Sequence, residues 1–437
     1  MKKILSFALF FGNLGILLYF WWLSSGDMVQ GAEFSSIGIA IARLAGLLAT
    51  QLALTQLILI GRIKWVESVF GLDKLSRIHK WNGYGILALV TLHIVLLTKI
   101  YAYFGEITFF EQIFVYLKYD GDFLKAFLAY LVLLGTVFLS ITIVRKNLKY
   151  EWWYWVHLFN YTVFVLFVSH QVNFGTSLQN KTFQYYWLAT YAFTAGHIAW
   201  FRFGKPVLNY WLHRFTVNKV EDLGPATNIY ITGKNLERFF RQSGQFMIFR
   251  FFQKGFWYEA HPFSLSWGAN NLEIRITAKK LGDFTSKLPS LQTGTQVLID
   301  GPHGIFTSKQ IKKDKVLMIA GGIGITPIRS LIEEISGKVD LTLIYSAKTK
   351  ADAVLLNELK DLQVKTNYKL IEIYADEKVE GAEFGRLDKE RLQTLASDLT
   401  SRDVYLCGPP PMMIALKKAL TELGLPKKQL HWERFAL

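Results

Sequence analysis

Apolar residues fall into two regimes along this chain, and the change comes near residue 205. Before it they run in long blocks near 4–24, 37–61, 79–103, 123–144, 152–174 and 183–203. A helix needs about 20 residues to cross the hydrocarbon layer of a membrane, and each block is long enough. The first is too long for a signal-peptide core, has no small-residue cleavage site and is followed by five more. The pattern predicts a six-helix transmembrane bundle. After 205 the blocks shorten. Residues 272–277 alternate as a strand does, 315–320 form a buried-strand run, and turns containing glycine and proline separate such pieces.

Composition sharpens this picture. The chain has 437 residues, 51% apolar and 19% charged, with a net charge of +15. A chain this apolar collapses, so disorder is excluded. The single cysteine, Cys407, excludes a disulfide scaffold. The positive charge could mark a nucleic-acid surface, but it is spread evenly. Residues 1–205 hold 17 Lys and Arg against 9 Asp and Glu, a net of +8; residues 206–437 hold 32 against 25, a net of +7. A membrane domain fused to a soluble one reads this way, and no nucleic-acid partner is expected.

The loop charges carry a topology. Lys2, Lys3, Arg62, Lys64, Lys74, Arg77, Lys80, Arg145, Lys146 and Lys149 lie on one side of the spans, and only Lys118 and Lys181 lie in the loops on the other. The positive-inside rule puts both termini and the whole second half in the cytoplasm of a cell whose membrane the bundle crosses. Trp21, Trp22, Trp152, Trp153 and Trp155 sit at span ends, where interfacial aromatics anchor.

Polar groups inside spans are costly, and the histidines stand out. His79 and His93 lie 14 residues apart on the third span; His157 and His170 lie 13 apart on the fifth. At about 1.5 Å per residue each pair is separated by about 20 Å along its axis, within a hydrocarbon core about 30 Å thick. Both spans run from inside to outside. His79 and His157 therefore share an inner depth, and His93 and His170 an outer one. A lone histidine in a span reads as an interhelical hydrogen-bonder. Two pairs at matched depths read as axial ligands of two stacked bis-histidine haems. One difficulty is angular. Fourteen residues at about 100° each return almost to the same helix face, whereas thirteen leave His170 roughly 140° from His157. A kink or bulge in the fifth span, or haems approaching it from different sides, is expected. Arg43, about a turn and a half inside the outer end of span two, is a candidate to pair with an outer haem propionate or to polarise an electron acceptor; the alternative is snorkelling. His197 reads as a structural hydrogen-bonder.

The second half carries three separated signals for phosphates and rings. His261-Pro262-Phe263-Ser264 follows strand-like segments. The strand 272–277 contains Arg275 and Thr277, and Gly282-Asp283-Phe284-Thr285 then turns into a short helix. Free amides, a hydroxyl and a guanidinium suit a pyrophosphate. Further on, Gly321-Gly322-Ile323-Gly324-Ile325-Thr326-Pro327 follows a buried strand and opens a helix. A strand at 341–346 ends in Tyr345-Ser346-Ala347-Lys348, and a third leads into Cys407-Gly408-Pro409. This order describes a parallel α/β sheet whose ligand sits at the strands' C-terminal ends. Cys407 lies at such an end, beside the place of a reacting ring.

The two histidine pairs resemble those of the ferric reductase transmembrane family. The motifs His261-Pro262-Phe263-Ser264, Gly321 to Pro327 and Cys407-Gly408-Pro409 resemble the ferredoxin-NADP reductase superfamily. Fused in this order, over nearly the whole chain, they are similar to the NADPH oxidases and ferric reductases. The resemblance implies a six-helix bis-haem bundle over 1–205, an FAD-binding antiparallel β-barrel over 206–310 and an NAD(P)H-binding α/β domain over 311–437. It implies a relay from NAD(P)H through FAD and two b-type haems to an external acceptor. His261, Pro262, Phe263, Ser264, Arg275, Thr277, Gly282 and Thr285 would meet FAD. Gly321, Gly322, Gly324, Thr326, Pro327, Cys407 and Gly408 would meet NAD(P)H. Ser346 and Lys348 would favour the 2′-phosphate of NADPH, with NADH tolerated. Phe435 matches the aromatic that stacks on the flavin in this family, with Trp432 as a fallback. Where animal oxidases carry a second histidine after the outer ligand, this chain has Leu97. No twelve-residue EF-hand loop and no regulatory-partner tail are visible, which predicts constitutive activity. The leading expectation is superoxide formation from O2 outside the cell. A ferric or cupric reductase with the same relay is the alternative, and a membrane subunit serving a protein or quinone partner is the third.

Overall fold

A computed structural model describes residues 2–31, 33–141, 150–269 and 272–433. It divides into two compact units. One joins Met1–Phe70 to Lys74–Ala199, and the other holds Gly71–Asp73 with the chain from Trp200 onward.

The first unit is helical: α1 (Lys2–Gln30), α2 (Phe34–Ile60), α3 (Lys64–Phe70), α4 (Leu72–Phe104), α5 (Phe109–Tyr119), α6 (Gly121–Ser140), α7 (Tyr150–Leu158), α8 (Asn160–Phe174) and α9 (Lys181–Ile198). Among the described residues, four helices are long and apolar enough to cross a membrane: α1, α2, α4 and α6. The fifth and sixth apolar blocks are helical without meeting that standard. The fifth is divided into α7 and α8, each too short alone. The sixth, α9, is diluted by Lys181, Gln184 and several hydroxyl side chains. The last predicted residues of the fourth block lie outside the described residues.

Helix α2 is the spine of this unit. Its buried face is built of small residues, Ala42, Ala45, Ala49 and Ala53, at helical spacing. In lipid there is little hydrophobic drive between helices, so close packing through small residues holds them together. Gly38 and Gly46 bring α4 closer still. A Cβ on Gly38 would lie 2.6 Å from Ile100 Cδ1, and one on Gly46 would lie 2.9 Å from His93 Nδ1. Buried amides complete the joint. Asn82 Nδ2 donates to Leu52 O at 2.8 Å and to Gln56 Oε1 at 2.7 Å. On the other side, Gln171 Nε2 donates to Thr50 Oγ1, and Gln171 Oε1 accepts from Trp187 Nε1 and Tyr191 OH. One glutamine thus ties α8 to both α2 and α9.

The second unit begins with α10 (Lys205–His213). Strands β1 (Thr216–Asp222), β2 (Ala226–Thr232), β3 (Phe246–Phe251), β4 (His261–Ser264), β5 (Ile274–Lys279) and β6 (Val297–His303) form two antiparallel sheets, ordered β1-β2-β5 and β4-β3-β6. Isolated bridges join the sheets at two places, Leu265 to Ile276 and Thr216 to Gln296. Phe215, Ile229, Ile231, Phe249, Phe251 and Ile276 fill the shared core. A short helix, α11 (Asp283–Lys287), follows β5.

The remaining strands are β7 (Lys315–Gly321), β8 (Asp340–Ala347), β9 (Lys369–Tyr374), β10 (Glu383–Phe384), β11 (Asp403–Cys407) and β12 (Leu430–Trp432). They form one parallel sheet ordered β10-β9-β8-β7-β11-β12. Helices α12 (Ile325–Ile335) and α13 (Leu356–Thr366) build the core on one face; α14 (Lys389–Leu395) and α15 (Pro410–Glu422) build it on the other. The strand order turns back between β7 and β11, the crevice where such sheets take ligands.

Arg402 braces the base of this sheet. It donates to Asp398 at 2.7 Å and to Asp340 at 3.2 Å, while Lys315 reaches Asp398 at 3.0 Å. The Arg402 guanidinium holds the Asp398 carboxyl down to about 2. The folded value lies below the unfolded one, so this contribution is complete above about pH 4 and is lost as pH falls toward 2. Asp398→Asn should lower the melting temperature of the detergent-solubilised chain at pH 7, with the gap to wild type closing between pH 4 and pH 2.5. A gap that does not depend on pH would overturn this.

Candidate electron-transfer site

The two α4 histidines are oriented by α2. His93 Nδ1 lies 2.8 Å from Ala42 O, and His79 Nδ1 lies 3.4 Å from Gln56 O. Ala42 and Gln56 are 14 residues apart, as are His79 and His93. The same contact therefore recurs at two levels of one antiparallel helix pair. A carbonyl oxygen only accepts, so Nδ1 carries the proton in each ring. The lone pair is then left on Nε2, as in imidazoles that ligate a metal. Gln56 closes the inner contact reciprocally, its Nε2 donating to His79 O at 3.0 Å.

The partner histidines come from the fifth apolar block. The His157 ring centroid is 5.9 Å from that of His79, with planes at 56°, and Trp153 stacks on its other side at 4.9 Å. Each ring nitrogen needs about 2 Å to reach a metal, so this gap admits one ion between two imidazoles. His170 packs against the touching rings of Phe123, at 5.0 Å, and Phe174, at 5.8 Å. Its neighbours fix its level. Gln171 binds Thr50, and Thr50 Oγ1 donates to Gly46 O, the glycine that abuts His93. Asn173 Nδ2 donates to Asp122 Oδ2 on α6 at 2.6 Å. The angular difficulty of a 13-residue spacing is answered by a helix break at Phe159. There one N–H is shared between Trp155 O and Val156 O. The break lies between the two histidines, the first of the two expected alternatives. Among the described residues, the buried Nδ1 atoms of His157 and His170 have no hydrogen-bond partner. Four imidazoles at two levels, two with Nε2 free by tautomer, fit the donor set of two bis-histidine haems.

Arg43 follows Ala42 and is therefore level with His93. It is half-buried, and its Nη1 lies 3.3 Å from the Met28 sulfur. His197 Nδ1 meets Phe193 O of its own helix, a structural contact as expected.

In the second unit His261, Pro262, Phe263 and Ser264 form β4. It is an edge strand, which is why a proline is accommodated there. His261 Nε2 is 2.7 Å from Glu259 Oε2, and its ring lies 3.8 Å from that of Phe284. The first three residues are half-buried and Ser264 is buried. Gly282 is exposed, with nothing near a Cβ built on it. A half-open edge beside an open turn fits a flavin and its phosphates. Three predicted contacts are already engaged within the protein. The Thr285 hydroxyl accepts from the amides of Leu281 and Gly282 and so closes the turn. Arg275 is only 3% exposed. Its guanidinium donates to Ser266 Oγ and O and pairs with both oxygens of Glu358 at 2.8 and 2.9 Å. Burial alone would pull the Arg275 guanidinium down, but the Glu358 carboxylate outweighs it and holds it above its usual value. Glu358 also accepts from Arg329 Nε at 3.0 Å. Thr277 is buried, its hydroxyl 2.7 Å from both Asn228 Oδ1 and Ser266 Oγ.

The glycines at the sheet crevice divide into two kinds. A Cβ on Gly324 would lie 2.5 Å from Cys407 O, and one on Gly408 would lie 3.2 Å from Gly321 Cα. A Cβ on Gly321 would lie 2.9 Å from Pro409 Cδ. Gly324 and Gly408 let the loops after β7 and β11 pack backbone on backbone, and Gly321 leaves room for the side chains of Met412 and Pro409. Gly322 differs: its φ is +50° and open space surrounds it, so its backbone is the one a phosphate can approach. Thr326 Oγ1 donates to Ile323 O, and buried Pro327 sits in the first turn of α12. Cys407 ends β11, but at 1% exposure its side chain belongs to the core. Ser346 pairs with Gly321 across the strand ends, and Lys348 is exposed just beyond them. Glu377 lies nearby, accepting from Lys350 N at 2.7 Å. Phe435 lies outside the described residues; Trp432, on β12, has Lys417 Nζ over its ring.

Comparison with known proteins assigns these parts. Residues 45–168 match the ferric reductase like transmembrane component, 213–307 an FAD-binding domain and 318–418 an oxidoreductase NAD-binding domain. The architecture is that of the NADPH oxidases and ferric reductases. His79, His93 and His157 fall within the transmembrane match, and His170 lies two residues past it. The chain thus joins an N-terminal domain, with at least four helices apolar and long enough to span a membrane, to flavin- and nicotinamide-binding domains. It is 31% identical over 171 residues to a glycine betaine monooxygenase reductase subunit of Chromohalobacter salexigens, covering 37% of this chain and 46% of that protein. It is 28% identical over 188 residues to flavohemoprotein A of Dictyostelium discoideum, covering 40% and 46%. The chain thus spans about half the length of these relatives. Among solved structures, the flavohem-like FAD/NAD-binding domain of a Vibrio cholerae nitric oxide dioxygenase matches with 23% identity and a TM-score of 0.46, covering 51% of this chain and 98% of that one.

The two kinds of glycine should separate on substitution. Gly324→Ala drives a methyl into the Cys407 carbonyl and should lower the melting temperature clearly. Gly322→Ala meets no atom and carries only the backbone penalty of a left-handed residue, about 1–2 kcal/mol, yet should raise the KM for the nicotinamide nucleotide. Equal stability of the two variants would refute the division.

Proposed function

We propose that this protein carries electrons from cytoplasmic NAD(P)H across the membrane to an external acceptor, most directly O2, with superoxide as product. The observation that carries this reading is the repeated contact of α4 histidines with α2 carbonyls at two levels, in the same chain as flavin- and nicotinamide-binding domains. Flavin, when bound, splits a two-electron hydride into single electrons, and haem iron accepts them one at a time. His79 and His157 would hold an inner haem and His93 and His170 an outer one. Within the bundle, α2 fixes the tautomers of the first of each pair. Arg43, beside His93, supplies a positive charge for an outer propionate or for an anionic product.

In the soluble half, β4 with Gly282 and Thr285 would cradle FAD, and the two bridges between the antiparallel sheets support reading them as one barrel. Arg275 would serve the flavin chiefly by holding the Ser266 loop. Gly322, Thr326 and Pro327 would receive the nicotinamide pyrophosphate. Phe435 would cover the flavin. Cys407, being buried, would shape the crevice floor through its backbone. The membrane topology, with the soluble domains inside the cell, rests on loop charge.

One hydride carries two electrons, so each NAD(P)H would reduce two O2 to two superoxide ions. The test is cytochrome c reduction by the purified full chain with FAD and NADPH. Superoxide dismutase should abolish most of it. Complete insensitivity to dismutase, with retained reduction of ferric or cupric chelates, would replace this reading with a metal-ion reductase.

Nucleotide preference has its own test. Lys348, exposed beyond β8, favours a 2′-phosphate, and Glu377 nearby leaves NADH usable. Lys348→Ala should lower kcat/KM for NADPH about tenfold, a loss of about 1.4 kcal/mol, and leave NADH within twofold. A parallel fall for both nucleotides would remove Lys348 from the site.

A further inference from the structure

The two histidines at the outer level are held in different ways. His93 donates its Nδ1–H to Ala42 O at 2.8 Å. Gly46 presses against the same ring, near enough that a Cβ would fall 2.9 Å from Nδ1 and 3.1 Å from Cε1. The His93 imidazole is thus locked in orientation and in tautomer, with Nε2 always able to donate to iron. His170 has neither restraint. Its Nδ1 is buried without a partner. Phe123 and Phe174 contact its ring, and aromatic contacts do not select which nitrogen carries the proton. The polar side chains that follow it on α8, Gln171 and Asn173, spend their bonds on Thr50, Trp187, Tyr191 and Asp122. Those bonds hold the backbone of α8 and leave His170 Nδ1 without a hydrogen-bond partner among the described residues.

Ligand histidines normally donate their second nitrogen to a carbonyl or carboxylate, and losing that contact weakens metal affinity 10- to 100-fold. We propose, resting on the haem reading above, that His93 is the fixed axial ligand of the outer haem and His170 the exchangeable one. The α8 side of that iron is then the place where a small neutral ligand can enter. This assigns a binding site for a diatomic molecule to a centre that a symmetric histidine pair would close. At the inner level His157 Nδ1 likewise has no partner among the described residues, but its ring is stacked on Trp153, and the α2 contact of His79 is longer.

The test compares His170→Ala and His93→Ala in the full-length, detergent-purified protein, with no turnover required. Haem per chain and carbon monoxide difference spectra of the reduced protein are the readouts. Wild type should hold two haems. His170→Ala should keep nearly two and gain carbon monoxide binding at one, and added imidazole should restore its low-spin spectrum. His93→Ala should lose one haem and gain no such binding. Gly46→Val, which displaces the His93 ring without removing a ligand, should lose the same haem. Loss of one haem in His170→Ala, or equal haem content and equal carbon monoxide binding in the two histidine variants, overturns the asymmetry. Fewer than two haems in wild type overturns the haem reading beneath it.

Discussion

Close approach of α2 to α4 is the constraint on which the membrane half depends. It is made possible by residues with almost no side chain, Gly38, Ala42, Ala45, Gly46, Ala49 and Ala53. In a bilayer the helices gain little from hiding apolar surface from one another, so contact distance does that work. Once the backbones are this near, carbonyls of α2 meet imidazoles of α4, and the ring that results is oriented, singly protonated and ready to bind a metal. A larger residue at position 46 would separate the helices where the outer histidine is held. The chemistry of the site is thus a consequence of the absence of side chains on its neighbour.

A similar logic governs the soluble half. Three glycines there admit neighbouring protein atoms rather than ligand, joining the loops at the two sides of the strand-order reversal. One glycine faces open space. Glycine-rich turns are usually read as phosphate sites, yet most of this one is a packing device that makes the crevice. The charged network of Arg275, Glu358 and Arg329 acts in the same spirit. It spends buried guanidinium donors on holding β5, α12 and α13 together and on fixing the loop that follows β4.

Much of this was legible before any coordinates. The apolar blocks located the helices, because no water-soluble segment can be uniformly apolar for 20 residues. The histidine spacings of 14 and 13 set two depths, because rise per residue is fixed. They left either a fault in the fifth span or haems approaching it from different sides, and a break is found at Phe159. Motif order along the chain assigned the flavin and nicotinamide halves. Less legible were Glu259, Gln56, Gly46, Glu358 and Arg329. Each acts through a partner distant in sequence or through a contact with backbone, and neither leaves a spacing pattern. The polar face of α9 likewise blurred the count of spanning helices.

Sequence alone determined the periodicities: where chain must be helix or strand, which side chains share a level, and which residue types face a cofactor. These follow from geometry local to each element. Tertiary structure decided what each polar group is free to do. It tied His93 to α2 and left His170 Nδ1 without a partner among the described residues, turned Arg275 toward Glu358, buried Cys407 and left Gly322 open. Such differences depend on which atoms from remote segments arrive within 3 Å, and no local rule carries that information.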